Sequence, residues 1–165
     1  MEAVVGSAEL GSAALGSSGY RPASGQSGVD LPGAGLFGAA NSLSALQAGQ
    51  VPPAALAYIG DGVYELHVRL LHLHPPRRIQ AYHQQVVAQV RAERQAQRLG
   101  QLMAHLTEAE QDIVRRGRNA ATGRPRRLSQ EVYRQATAFE ALLGYLYLSD
   151  RDRLSQLLAQ LDLLE

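Results

Sequence analysis

The chain has 165 residues, enough for one domain or a small domain with a tail, and its 16 basic residues, all arginines, nearly balance 15 acids, so the net charge of +1 indicates no particular partner. Cysteine is absent, which excludes disulfides, thiolate metal sites and a cysteine nucleophile. No apolar run approaches the roughly 18 residues of a membrane span, and the acidic N-terminus is unlike a secretory signal, so we expect a cytoplasmic protein without a membrane partner.

The first part of the chain has the composition of a tail. Residues 1–50 hold ten of the 16 glycines, eight serines and only four charged residues. Their large apolar residues follow neither a helix nor a strand period, so the segment buries too little surface to offset the cost of ordering it. We predict a disordered, low-complexity tail over residues 1–48 and a folded domain over 49–165. Within the tail, Ala40–Ala48 could form a helical turn capped by Asn41 or Ser42.

Apolar spacing predicts the first two helices of the domain. After Pro52-Pro53, apolar residues recur with spacings of 3, 4, 3, 4 and 3, which form one stripe of an amphipathic helix: Leu56, Ile59, Val63, Leu66, Leu70 and Leu73. Pro75-Pro76 ends this helix. A second helix is predicted from about Ile79 to Leu99.

Capping residues predict the third helix and the loop after it. Thr107 and Glu110 form the pattern of a capping box, which starts a helix that we expect to end near Gly117. The following Asn119–Ser129 contains glycine, proline and several polar residues, which is typical of a loop.

Two more capping residues predict the last helices. Ser129 is placed to cap Gln130–Ser149, and Asp150 to cap Arg151–Leu164. The fourth helix is hydrophobic on nearly all sides, which predicts a central, buried position. Since no alternating period of 2 competes anywhere, the predicted class is all-α.

Asp61 is the first carboxylate that helix stability does not explain. It lies between Gly60 and Gly62, and all three residues are unfavourable inside a helix. One interpretation is a break between two short helices, with Asp61 capping the second. The stripe runs from Ile59 to Val63 without a phase shift, which argues against a break and favours a close approach to the backbone. Glu65 follows one turn later on the same side.

Glu140 is the second such carboxylate. Between Ala138 and Leu148 of the hydrophobic helix, it is the only ionisable residue other than two tyrosines. A buried carboxylate must be paired, protonated or bound to a metal, and an ion pair with one of the many arginines is about as plausible as a functional role. If Asp61 and Glu140 lie on adjacent helices, they form an oxygen site suited to Mg²⁺, which supports phosphodiester cleavage.

A cluster of arginines leads into the helix of Glu140. The chain contains seven arginines and a single acid between Arg115 and Arg134. A solvated charge run is the simpler interpretation, but guanidinium groups also match phosphate oxygens. The cluster contains no aromatic residue for base stacking, so we predict binding to the backbone of a nucleic-acid duplex. The predicted RNA-binding residues are Arg115, Arg116, Arg118, Asn119, Arg124, Arg126 and Arg127.

Three of these segments resemble a known family. Leu56–Leu66 (LAYIGDGVYEL) resembles the signature helix of the ribonuclease III catalytic domain. Arg115–Ala120 (RRGRNA) and Ala136–Leu148 (ATAFEALLGYLYL) resemble its short branch, Mini-ribonuclease III, or Mini-III. The resemblance covers about residues 51–160 and none of the tail. Like that branch, the chain is expected to lack a double-stranded-RNA-binding domain after Glu165.

The resemblance implies a homodimeric, Mg²⁺-dependent endoribonuclease that cleaves double-stranded RNA. Members of the branch trim the ends of the 23S ribosomal RNA precursor, so the same substrate is expected here. Asp61 matches the signature aspartate that is taken as catalytic, and Glu140 matches the glutamate of the later helix. Both would hold the metal and its attacking water, with Glu65 and Thr137 beside them.

The chain departs from the larger enzymes of the family at two positions. Those enzymes carry acids where this chain has Ala57 and Thr137, and the Mini-III branch resembles this chain in lacking both. The leading hypothesis is therefore a metal-dependent endonuclease. The alternative is a catalytically silent helical dimer that binds structured RNA, and a third interpretation is a helical interaction module with Asp61 and Glu140 in buried ion pairs.

Overall fold

A computed structural model of the chain describes residues 43–122, 128–161 and 163. The described residues contain no strand and form one 3-10 turn, Met103–His105, and seven α-helices: α1 Ala45–Gln50, α2 Pro53–Leu71, α3 Ile79–Val90, α4 Ala92–Leu102, α5 Glu108–Ala120, α6 Gln130–Ser149 and α7 Arg151–Leu158. The predicted all-α class is confirmed. None of these helices is long and apolar enough to cross a membrane. Residues 1–42 of the predicted tail lie outside the described residues.

Helix α6 is the centre of the bundle, as its all-round hydrophobicity predicts. Its interior, from Ala136 to Leu146, is buried except at Thr137 and Glu140. Helices α1, α2, α4, α5 and α7 all pack against it. Both ends of α6 agree with the sequence. The Ser129 side chain accepts the hydrogen bond expected of the cap of α6, and the Asp150 side chain does the same for the next helix, α7.

Helix α2 has two apolar faces. Most of the predicted stripe lies on the face that does not pack against the core. The residues that pack into the core are Leu56, Ala57, Gly60, Tyr64 and Val68. The second half of the stripe is exposed instead, together with a nearby tyrosine: Tyr58, Leu66, Leu70 and Leu73. The sequence shows that these residues share a side of the helix, but not that small residues on the neighbouring side let α6 approach. We call this exposed set the apolar face of α2.

The predicted second helix is two helices. Arg91 is extended, with φ −65° and ψ 149°, and it ends α3 and begins α4. The break has a signature in the sequence, because the apolar positions of α3 and the buried positions Gln95, Leu99 and Leu102 of α4 are out of phase with each other. Since residues 90–92 include neither Gly nor Pro, the chain carries no turn residue at this point.

Helix α5 starts at its predicted capping box, formed by Thr107 and Glu110, but ends three residues after Gly117. Gly117 is not a helix end: a Cβ atom there would lie 2.7 Å from the Ala141 Cβ atom. It is small because α5 crosses α6 at this point. Asn119 consequently belongs to α5 rather than to the predicted loop. The last helix is also shorter than predicted, since α7 ends at Leu158 rather than Leu164.

The folded part begins before the predicted boundary at residue 49. Helix α1 starts at Ala45 with a capping box on Ser44, where Asn41 or Ser42 had been expected to cap. The Leu43 N–H donates to the Leu148 carbonyl of α6 at 2.8 Å, and Ala48 is fully buried. Residues 43–48 are therefore part of the domain, because they satisfy backbone and apolar groups of its core.

Candidate active site

Asp61 lies on an unbroken helix. Helix α2 continues through Gly60, Asp61 and Gly62, so the interpretation of Asp61 as the cap of a second short helix is wrong. The Asp61 side chain sits at the margin of the surface that faces the core. Partial burial there, followed by the nearby charge of Glu65, raises the pKa of the Asp61 carboxyl.

Gly60 brings Asp61 to the helix of Glu140. A Cβ atom at Gly60 would lie 1.8 Å from the Glu140 carbonyl oxygen, and one at Gly144 would lie 2.0 Å from the Leu56 carbonyl oxygen. Only glycine fits at either position, so the backbones of α2 and α6 touch here. The close approach predicted beside Asp61 is thus present at Gly60. Gly62 is different, because a Cβ atom there would have no neighbour within 4 Å among the described residues.

Glu140 occupies a half-buried position on α6 next to this crossing. Burial, and after it the negative charge of Asp61, raise the pKa of Glu140 to about 7, while a hydrogen bond from the Gln95 side chain acts in the opposite direction. No arginine in the described part of the chain is among the groups that shift this pKa. This argues against the ion-pair interpretation of Glu140.

The two carboxylates suit a small hard cation. The charge of Asp61 raises the pKa of Glu140, and a divalent cation between the two carboxylates would remove that penalty. Mg²⁺ keeps several waters and needs only one or two protein carboxylates, so a larger ligand set is not required. The described residues contain no cluster of three or more acidic or histidine side chains placed to hold a metal. Ala57, which is buried, and Thr137, which is half-buried, add no charge to the site.

Glu65 was predicted to lie beside the two carboxylates, whereas Gln95 was not predicted to be near them. Glu65 forms an exposed ion pair with Arg69 at 2.6 Å, and it acts on the site through its charge. Gln95 was not recognised from the sequence, although it is 2% exposed on α4 and lowers the pKa of Glu140. A polar residue in register with Leu99 and Leu102, at spacings of 4 and 3, was the signal that could have found it.

The candidate RNA-binding residues separate into two groups. Arg115, Arg118 and Asn119 are exposed on the last turns of α5. Arg116 instead donates to the Gly49 carbonyl at 2.6 Å and, more weakly, to the Val51 carbonyl, so it ties α5 to the segment that joins α1 and α2. The remaining candidates, Arg124, Arg126 and Arg127, lie outside the described residues.

The exposed members of this group line one groove of about 890 Å³ between α4, α5 and the first turns of α6. Arg118 forms two hydrogen bonds of 2.9 Å with the Glu131 carboxylate, and Arg115 pairs with Asp112. Arg134 lines the same groove. Both exposed arginines of α5 therefore meet a carboxylate that a phosphate group could replace.

Comparison with known proteins identifies the family of the chain. A model of the Ribonuclease III domain matches residues 54–151. A curated Mini-ribonuclease 3 from Thermosynechococcus vestitus is 59% identical over 112 residues, which cover 68% of this chain and 74% of that protein. Another, from a Synechococcus species, is 57% identical over 123 residues, or 74% and 89% of the two chains. A crystal structure of a Fusobacterium nucleatum protein matches with a TM-score of 0.63 and 26% identity, over 71% of this chain and 94% of that one.

Proposed function

The chain belongs to the Mini-III branch of the ribonuclease III family and is an endoribonuclease of that type; from this premise we propose that it cleaves double-stranded RNA at a Mg²⁺ site formed by Asp61 and Glu140. The observation that carries the proposal is the pair of like-charged carboxylates at the crossing of α2 and α6. Burial raises the pKa of each carboxyl, and a bound cation would favour the charged form of both.

Asp61 and Glu140 would have complementary tasks in the reaction. Asp61 is the more accessible of the two acids, whereas Glu140 is fixed on the central helix. A bound Mg²⁺ would supply an activated water and stabilise charge on the phosphate. Glu140 would hold the cation at a fixed place, because the carboxylate is carried by the rigid core rather than by a loop.

The proposed substrate is the 23S ribosomal RNA precursor, which would place the enzyme in the cytoplasm. Arg115, Arg118 and Asn119 offer donors to the phosphate backbone along the groove, and Arg124, Arg126 and Arg127 stay predicted contributors from the sequence. Arg116 stays a predicted contributor as well, although two of its nitrogen atoms donate to backbone carbonyl groups.

The apolar face of α2 supports a homodimer. Tyr58 is 85% exposed and Leu70 is 61% exposed, which is a costly arrangement unless another surface covers them. They line a groove of about 450 Å³ that also contains Gly62, the glycine without a close neighbour in its own chain. A second copy packed on this face would explain Gly62, and a two-fold axis there would provide one acidic site for each strand of a duplex.

The test is cleavage of a structured precursor RNA by the full chain, with and without Mg²⁺. We expect Mg²⁺-dependent cleavage by the wild-type protein, its loss in Asp61→Asn, and its retention in Asp152→Asn, which changes an exposed aspartate on α7. Cleavage that survives Asp61→Asn would rule out the site.

The silent RNA-binding dimer stays the second candidate, because Ala57 and Thr137 leave only two carboxylates at the crossing. RNA binding by the wild-type protein without cleavage at any Mg²⁺ concentration would favour it.

A further inference from the structure

An ion pair joins α5 to α6 across the groove that the exposed arginines line. Arg118, in the last turn of α5, donates to both oxygens of the Glu131 carboxylate, which lies in the first turn of α6. These two side chains are 46% and 54% exposed, whereas those of the Arg153–Glu110 pair are 24% and 6% exposed. Exposed pairs are screened by salt and add little to stability, so holding the bundle together does not explain Glu131.

The Glu131 carboxylate is bound in the way that an anionic ligand would be. Gln135, one turn further along α6, donates from its side-chain amide to Glu131 Oε1 at 2.7 Å, so the carboxylate accepts three hydrogen bonds from side chains. The bond from Gln135, and after it that from Arg118, lowers the pKa of Glu131. A phosphodiester group also presents two oxygens that share one negative charge, so it can take the place of the carboxylate on the same donors.

Two guanidinium groups beside this carboxylate have unpaired donors. Both hydrogen bonds of Arg118 to Glu131 come from one nitrogen atom, Nη2, so the carboxylate does not use the planar fork of the guanidinium group. Arg134 lies three positions after Glu131 on α6 and lines the same groove. Its Nε atom is buried without a hydrogen-bond partner in the described part of the chain. An anion with more oxygens than a carboxylate would satisfy this site better than Glu131 does.

The charges of the groove balance within the chain. Its described lining contains three arginines and three acids: Arg115, Arg118, Arg134, Glu108, Asp112 and Glu131. A phosphate backbone therefore meets no net positive charge there while every acid stays in place, and an acid that moves aside increases the attraction.

We propose that Arg118, Arg134 and Gln135 form a binding site for one phosphate of an RNA strand, and that the Glu131 carboxylate occupies this site until the RNA displaces it. The inference rests on the proposed function and deepens its substrate recognition. It gives roles to Glu131, Arg134 and Gln135, which neither the motifs nor the family resemblance assigns. Glu131 acts as a built-in competitor that weakens the binding of any phosphate unable to displace it.

The experiment measures binding of a perfectly paired RNA duplex to the full chain by fluorescence anisotropy, in EDTA and over a series of KCl concentrations. Glu131→Gln keeps the shape of the side chain and removes the competing charge. The matched control is Glu93→Gln, because Glu93 is also an exposed glutamate in the first turn of a helix, α4, but is not among the residues that line the groove. Both variants change the net charge equally, so the general attraction of RNA changes equally.

We expect Glu131→Gln to bind the duplex about fivefold more tightly than Glu93→Gln does. Arg134→Gln should weaken binding and reduce the slope of log K against log salt concentration by about one, as the loss of one phosphate contact does. Arg118→Gln should have the same effect on the slope when Glu131→Gln is present, and should weaken binding more there than in the wild-type chain, because the ion pair no longer offsets the contact.

Equal affinities of Glu131→Gln and Glu93→Gln would overturn the phosphate site. An Arg118→Gln variant that lowers the melting temperature but leaves the salt dependence unchanged in both backgrounds would also overturn it, since the pair would then be structural. In either case, Mg²⁺-dependent cleavage that is lost in Asp61→Asn would leave the proposed function standing. Tighter binding by Glu131→Gln together with cleavage that survives Asp61→Asn would keep the phosphate site and overturn the catalytic one.

Discussion

Glu110 and Glu140 are glutamates set into the same bundle, but the groups that face them have opposite charge. Glu110 is 4% exposed and binds Arg153 of α7 with hydrogen bonds of 2.8 and 3.0 Å. Burial alone would raise the pKa of Glu110, but hydrogen bonds from Arg153 and Thr107 lower it. Glu140 faces Asp61 instead, and its pKa is raised to about 7. The first carboxylate is satisfied within the chain, whereas the second is the one that we propose to bind a cation from outside it.

Among the substitutions that test this difference between the two glutamates, Glu140→Gln should have the largest effect on cleavage. It keeps the shape of the side chain and removes a charge that the metal requires, so we expect cleavage to fall by roughly 10³-fold. The folded protein should be no less stable without metal at neutral pH, because the repulsion from Asp61 is relieved. Single-turnover cleavage and urea unfolding measure the two effects. A loss of stability equal to that of Glu110→Gln would mean that Glu140 is structural.

Gly60→Ala tests whether the comparison depends on the close crossing of α2 and α6. The new Cβ atom would lie 1.8 Å from a backbone oxygen, so the helices must separate, at a cost of about 3 kcal/mol. Gly62→Ala is the matched control, since its Cβ atom meets nothing within 4 Å in its own chain. If Gly62→Ala weakens self-association in light scattering without lowering monomer stability, the apolar face of α2 is the dimer surface. Equal stability of the two variants would contradict the crossing described above.

Glu110→Gln should destabilise the fold and leave RNA cleavage unchanged. Replacing the carboxylate weakens its hydrogen bonds to Arg153, which we expect to cost about 2 kcal/mol. The lowered pKa of Glu110 means that its stabilisation is present above its ordinary pKa of 4.5 and is lost as the pH falls below that value. Acid unfolding curves of the two proteins should therefore converge at low pH. A parallel offset down to the lowest pH would show that the charge of Glu110 is unimportant.

Glu65→Gln should have the smallest effect. Glu65 raises the pKa of Asp61 less than burial does. Its side chain is partly exposed and paired with Arg69. Exposed pairs contribute about 0.2–1 kcal/mol, so we expect cleavage to change by less than roughly fivefold. A loss of cleavage as large as that of Asp61→Asn would place Glu65 among the metal ligands.

The sequence was sufficient wherever local chemistry decides the structure. The capping box of α5 and both ends of α6 follow from short-range hydrogen bonds, and Asp61 and Glu140 stand out because they are unfavourable in their helices. Tertiary packing decided the rest. Gly117 was interpreted as a helix end, although it is small because Ala141 lies against it, and the carbonyl groups to which Arg116 donates were not foreseen. The sequence shows a donor or a small residue at such positions, but not its partner.

The most direct test of the two-carboxylate cation site is the free energy of unfolding with and without Mg²⁺, at about pH 8 and about pH 5. Because the pKa of Glu140 is raised from 4.5 to about 7, the metal-free protein should lose stability as the pH rises through this range. Mg²⁺ should restore stability at the higher pH, much less at the lower pH, and not at all in Glu140→Gln. Stabilisation by Mg²⁺ that is equal at both pH values, or that persists in Glu140→Gln, would contradict the site.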